Sequence, residues 1–237
     1  MSMADPVIAV SDLACSFGGR TVIAGVTLAV ARGDIVGLVG ANGGGKTTTL
    51  RMIAGLLRPD AGCGQVLGRD VMARRRAGHQ SIGYMTQSLS LYPELTVAEN
   101  LRFRARVHGS GGSDTAIFNY GLGPVMTTRV AALSGGWSRR VQFAATVIHQ
   151  PALLLLDEPT AGLDPLTRAD MWRWIAALAE KGCAILISTH DLDEAQHCPR
   201  IIHFHQGSAE GPVTPSAFIA ANDATSLEAA VIQRARA

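Results

Sequence analysis

The stretch IVGLVGANGGGKTTTL, Ile35 to Leu50, changes character twice. IVGLV (Ile35–Val39) is a short unbroken apolar run, as expected of a strand buried on both faces. The glycine-rich loop GANGGGKT (Gly40–Thr47) follows. Beyond it Leu50, Ile53, Ala54 and Leu57 fall at i, i+3, i+4 and i+7, one face of a helix that RPDAG (Arg58–Gly62) is expected to stop. The loop matches G-x-x-x-x-G-K-[ST] in the strand–loop–helix setting that the pattern demands.

Glycines let successive N–H groups point at one anion, and a helix N-terminus adds partial positive charge. Lys46 supplies a compact charge for β- and γ-phosphates, and the Thr47 hydroxyl is a ligand for Mg²⁺. Lys46 and Lys181 are the only lysines, so one of two ammonium groups stands in this loop. A second stretch completes the chemistry. LLLLDEPTAGLD (Leu153–Asp164) sets two carboxylates at the tip of an apolar strand. Adjacent buried anions are costly unless a cation or proton compensates. Beside a phosphate loop, Asp157 is expected to hold the metal and Glu158 to face the attacking water.

The remaining pattern is of one kind. VTLAV (Val26–Val30) alternates like a half-buried strand, QPALLLLDEP and AILIST read as buried strands, and RIIHFHQG reads as a later strand and turn. Helices are expected from the capping-box spacing TVAE (Thr96–Glu99), after Ser134, through Met171, Trp174, Ile175 and Leu178 as far as Gly182, and in the tail from Ser226. Alternating strands and helices predict an α/β fold with a mostly parallel sheet. With 237 residues, 47% of them hydrophobic, the chain suits one domain, 1–237. A net charge of +2 gives no electrostatic reason to expect nucleic acid. Four scattered cysteines suit a reduced setting, the N-terminus lacks a secretory pattern, and no apolar run is long enough to span a bilayer.

With LSGGW (Leu133–Trp137) added, the chain resembles the nucleotide-binding subunit of an ABC transporter over nearly its whole length. Phe17, in CSFGG, stands where the family stacks an aromatic ring on adenine. Gly40, Asn42, Gly43, Gly44, Gly45, Lys46, Thr47 and Thr48 match its Walker A loop, and Gln87 in GYMTQ its Q-loop. Ser134, Gly135 and Gly136 match its signature, LLLLDE its Walker B strand, Asp164 in AGLD its D-loop, and His190 in STHD its switch histidine. LYPELTVAENLRF and SLEAAVI are similar to drug-efflux and related exporter ATPases.

The resemblance implies a P-loop core, an N-terminal antiparallel β subdomain, a helical insert (roughly 88–150) and a C-terminal tail (roughly 208–237). It implies ATP and Mg²⁺ as ligands, with Thr47, Gln87 and Asp157 around the metal. Glu158, His190 and Gln87 would form the catalytic group. Ser134–Gly136 would meet the γ-phosphate held by a second copy, so that two chains close head-to-tail on two ATP molecules. A separate permease would hold the protein at the cytoplasmic face of the inner membrane. Soluble ABC ATPases acting as nucleotide-gated binding or regulatory modules remain the alternative.

Two departures stand out. Trp137 replaces the usual glutamine or methionine, either as a tolerated exchange at an exposed helix start or as altered packing at the dimer seam. The segment GSGGSDTAIFNYGLGP (Gly109–Pro124) is short and glycine-rich where the family's insert is longer, and GSGGSD reads as a flexible break. Among weaker signals, ARRRAG (Ala73–Gly78) reads as a solvated basic run. His197, Cys198, His203 and His205 fit no standard zinc spacing; His203 and His205, at i and i+2 on one face of a predicted strand, are expected to be surface or interface histidines. Trp172 and Trp174 read as helix packing.

Overall fold

The computed structural model describes residues 6–73, 81–110 and 119–236. Most of ARRRAG and of the segment after Gly109 lies outside these residues, so neither expectation is addressed there. Among the described residues ten strands form one sheet: β1 (Ile8–Phe17), β2 (Arg20–Val30), β3 (Ile35–Val39), β4 (Ala61–Val66), β5 (Arg69–Asp70), β6 (Ile82–Met85), β7 (Leu153–Asp157), β8 (Ala184–Thr189), β9 (Arg200–His205) and β10 (Ser208–Val213). Their order is β5-β4-β1-β2-β10-β9-β3-β8-β7-β6. The run β9-β3-β8-β7-β6 is parallel. Strands β1, β2, β4 and β5 pair antiparallel and make the N-terminal β subdomain.

The central strands bury both faces, as their unbroken apolar runs require. Leu154 and Leu156 of β7 join Ile185 and Ile187 of β8 on one face. Leu153, Leu155, Ala184 and Leu186 point to the other, the period of two expected of a pleated strand. Helix α1 (Lys46–Ile53) covers the second face, where Leu50, Met52 and Ile53 pack with Leu28, Val30 and Phe204. It ends earlier than the apolar spacing through Leu57 predicts: Gly55, at φ 72°, leaves the helical region.

The first face is covered by α2 (Val97–Val107), α3 (Gly135–Val147) and α4 (Pro165–Glu180), which contribute Leu101, Val141, Phe143, Met171 and Ile175 to the same cluster as Leu156 and Ile187. The helical insert therefore shares its core with the sheet. Thr96 caps α2 with both halves of a capping box, as TVAE predicts. Short helix α5 (Leu192–Ala195) follows β8, and α6 (Pro215–Ala221) and α7 (Leu227–Arg236) close the tail. Phe218 and Leu227 pack there on Val39 and Ile201, so the tail lies on the central sheet.

Candidate nucleotide site

The phosphate loop runs from the tip of β3 into α1. Gly40, at φ 140°, has no room for a side chain, since a Cβ would stand 2.3 Å from the Phe204 carbonyl oxygen. Gly45, at φ 106°, would collide with Ile23 at 2.1 Å. Both glycines are demanded by the close approach of neighbouring strands. Gly45 is the N-cap of α1 and offers no side-chain cap, so the first-turn N–H groups of Lys46, Thr47 and Thr48 have no intrahelical acceptor. Asn42 and Gly43 form the exposed rim.

Lys46 is 5% exposed, and its Nζ donates to the carbonyls of Gly40 (2.7 Å) and Ala41 (3.0 Å). Burial pulls its ammonium below the ordinary value, and the charges of Glu158 and Asp157 oppose that shift. The loop lysine is thus folded onto its own loop beside two acids, within reach of the space where phosphates would displace those carbonyls.

Asp157 ends β7 and is buried. Its Oδ1 accepts from Thr47 Oγ1 at 2.9 Å and from Ser188 Oγ at 2.5 Å. Glu158 follows with φ 49°, a left-handed backbone that costs a non-glycine residue roughly 1–3 kcal/mol and persists only where neighbours impose it. Its N–H donates to the Ser188 carbonyl (3.1 Å) and hydroxyl (3.1 Å). Its carboxylate is held from two sides: Gln87 Nε2 donates to Oε2 at 2.9 Å, and His190 Nδ1 meets Oε1 at 2.9 Å. A cavity of about 220 Å³ opens beside Glu158 and His190, bounded by Thr160, Gly162, Arg168 and Asp191. A larger cavity of about 380 Å³ near Tyr120 and Lys181 contains none of these groups.

The structure therefore brings Lys46, Thr47, Asp157, Glu158, Gln87 and His190 together. It leaves Ser134–Gly136 apart: among the described residues no hydrogen bond joins them to Gly40–Thr48. Ser134 is the N-cap of α3 and accepts from Trp137 N. Asp164 caps α4, its Oδ1 accepting from Leu166 N and Thr167 N and its Oδ2 from Thr167 Oγ1 at 2.7 Å. Those bonds, the Thr167 hydroxyl's first, hold its carboxyl below the usual range. A Cβ on Gly136 would lie 3.8 Å from Asp164 Oδ2, so the start of α3 adjoins the cap of α4. Phe17 closes β1 half-exposed.

Some expectations need correction. Trp137 stands in the exposed first turn of α3, yet its ring is half-buried: it packs against the core of its own chain, with the Arg140 guanidinium 5.1 Å from its ring centroid. His203 is 2% exposed, not a surface group, because its side of β9 is covered by Phe218 of α6. Trp172 and Trp174 do serve packing. Trp174 lies against Tyr120 and Phe143, and Trp172 Nε1 donates to Glu194 at 3.2 Å.

Sequence reasoning missed several polar residues behind the site. Arg139 Nη2 donates to the Glu158 carbonyl at 3.0 Å, and its Nη1 to the Thr86 carbonyl at 3.1 Å. Gln142, 1% exposed, donates to the carbonyls of Thr86 and Ser88. Buried Glu194 accepts from Thr160, from Trp172 and from Thr189 at 2.8 Å. The signal available in the sequence was a polar residue inside an apolar run: Gln142 interrupts Val141–Ala145.

The ABC transporter family pattern matches residues 23–161. A shorter match, to an AAA domain family described as putative AbiEii toxin of a type IV toxin–antitoxin system, covers 129–194. The chain is 39% identical over 217 residues to the probable multidrug ABC transporter ATP-binding protein YbhF of Escherichia coli K12, covering 89% of this chain and 38% of that protein. It therefore spans well under half of that relative's length. It is 36% identical to the Nod factor export ATP-binding protein I of Paraburkholderia xenovorans, covering 86% of this chain and 70% of that one. A solved ATP-binding subunit of an ABC transporter superposes with a TM-score of 0.86 at 28% identity, over 95% of this chain and 98% of the other. The chain belongs to the ABC transporter family of ATP-binding proteins, which are ATPases.

Proposed function

We propose that this chain is the ATP-hydrolysing subunit of an exporter, working on a separate permease at the cytoplasmic face of the membrane. The observation that carries the reading is Glu158 held between Gln87 and His190, beside the Lys46 loop. Lys46 and the first-turn amides of α1 would neutralise the β- and γ-phosphates, with Phe17 against the adenine. Thr47 and Asp157 supply adjacent oxygens suited to Mg²⁺, and Gln87, held on the neighbouring Glu158, would complete the set. Bound there, the ion would neutralise charge developing on the phosphate oxygens. Glu158 would accept the proton of the attacking water, and His190 would orient the γ-phosphate end. Ser134, Gly135 and Gly136, set apart from their own phosphate loop, would cap the γ-phosphate held by a second copy, with Asp164 at the seam.

Exporter-type relatives and the exposed apolar side chains Leu56, Leu89, Tyr92, Phe103 and Val107 support a membrane-protein partner. No helix among the described residues is long and apolar enough to cross a membrane. The test is Glu158→Gln. It should bind Mg-ATP, release phosphate at least about a hundredfold more slowly, and elute as a nucleotide-trapped dimer. Parental phosphate release by this variant would remove Glu158 from its role.

A further inference from the structure

We propose that Arg139 is a positioning residue that fixes the backbones of Glu158 and Gln87 relative to each other. The inference rests on the reading of Glu158 as the group facing the attacking water. Arg139 stands in the second turn of α3, the helix that Ser134 caps. Its guanidinium reaches three acceptors: the Glu158 carbonyl at 3.0 Å, the Thr86 carbonyl at 3.1 Å and Gln142 Oε1 at 3.0 Å. Gln142 in turn donates to the carbonyls of Thr86 (3.2 Å) and Ser88 (2.9 Å), one on each side of Gln87.

The geometry explains two things the site needs. Glu158 keeps a left-handed backbone at φ 49°, which its neighbours must impose. Ser188 holds the N–H side of that residue, and Arg139 holds its C=O. The 2.9 Å contact between Gln87 Nε2 and Glu158 Oε2 joins two segments that lie 71 residues apart. Arg139 is bonded to the backbone of both. A planar fork is required to span these acceptors, so lysine can keep at most part of the arrangement. Because the fork belongs to α3, it ties the Glu158 carbonyl to that helix.

The test uses the full chain with Arg139→Met and Arg139→Lys. Amide hydrogen exchange is followed in peptides spanning 86–90 and 157–161, alongside steady-state hydrolysis of Mg-ATP. In Arg139→Met exchange should quicken about tenfold in both peptides and not in β3 or β8. Its kcat should fall about ten- to a hundredfold, with KM for ATP within about threefold. Arg139→Lys should recover part of both. It keeps the charge and stem, and so carries the test if the Met variant does not fold. Unchanged exchange in both peptides, or a raised KM at parental kcat, would overturn the inference. A parent chain that hydrolyses no ATP would instead sink the functional reading, and exchange would still decide the positioning role.

Discussion

The Thr47 hydroxyl donates a 2.9 Å hydrogen bond to Oδ1 of Asp157, joining the phosphate loop to the tip of β7. Hard oxygen donors from two elements converge there, the arrangement a small divalent cation requires. Nucleotide affinity should therefore depend on Mg²⁺ through this pair. Calorimetry of ATP binding with Mg²⁺ and with EDTA should show a clear gain for the parent. Asp157→Asn should reduce that gain about tenfold while leaving the EDTA affinity alone. An equal Mg²⁺ gain in both proteins would place the metal elsewhere.

Glu194 binds three segments of the chain into one unit. It accepts hydrogen bonds from Thr160, Thr189 and Trp172, and is 3% exposed. Glu194→Leu strands the buried Thr160 and Thr189 hydroxyls and the half-buried Trp172 N–H, and should cost about 3 kcal/mol. That corresponds to a fall in Tm of about 6–12 °C for a domain of this size. Glu194→Gln should cost less than half as much, because the Thr189 hydroxyl can turn to accept from the new amide. Parental stability in Glu194→Leu would show that this network contributes little.

The Arg140 guanidinium lies between Trp137, at 5.1 Å, and Trp174, at 5.0 Å, and pairs with Asp170 at 2.7 Å. Trp137→Gln removes one ring of this stack and should lower stability by about 1 kcal/mol, or Tm by about 2–4 °C. The KM for ATP should stay within about twofold, since the ring faces its own core. A changed KM with an unchanged Tm would return Trp137 to the dimer seam.

His149 stacks on His108 with ring centroids 3.9 Å apart. Burial first, and the charge of His108 second, push the His149 pKa down to about 4. Burial also lowers that of His108. The unfolded chain therefore takes up protons before the folded one. The stability from a neutral His149 is complete above the ordinary value of 6.5 and is lost as pH falls from there toward 4. Urea midpoints at pH 7.5 and pH 4.5 should differ less in His149→Gln than in the parent. Identical differences would show that the pair takes no part in acid destabilisation.

The phosphate loop, the strand carrying Asp157 and Glu158, the capping box at Thr96 and the alternation in Val26–Val30 were legible because each depends on neighbours in sequence. A period of two, a glycine run before a lysine, or a cap three residues ahead of its acid is a local physical constraint. The tertiary structure decided what depends on pairing across the sheet. Parallel register brings the end of β8 level with the end of β7, so Ser188 reaches Asp157 and His190 reaches Glu158. No local pattern marks Arg139 as the group that clasps Glu158, or turns His203 inward under Phe218. Such contacts exist only once distant segments pack, and their energy comes from burial and hydrogen bonds that the isolated segments cannot make.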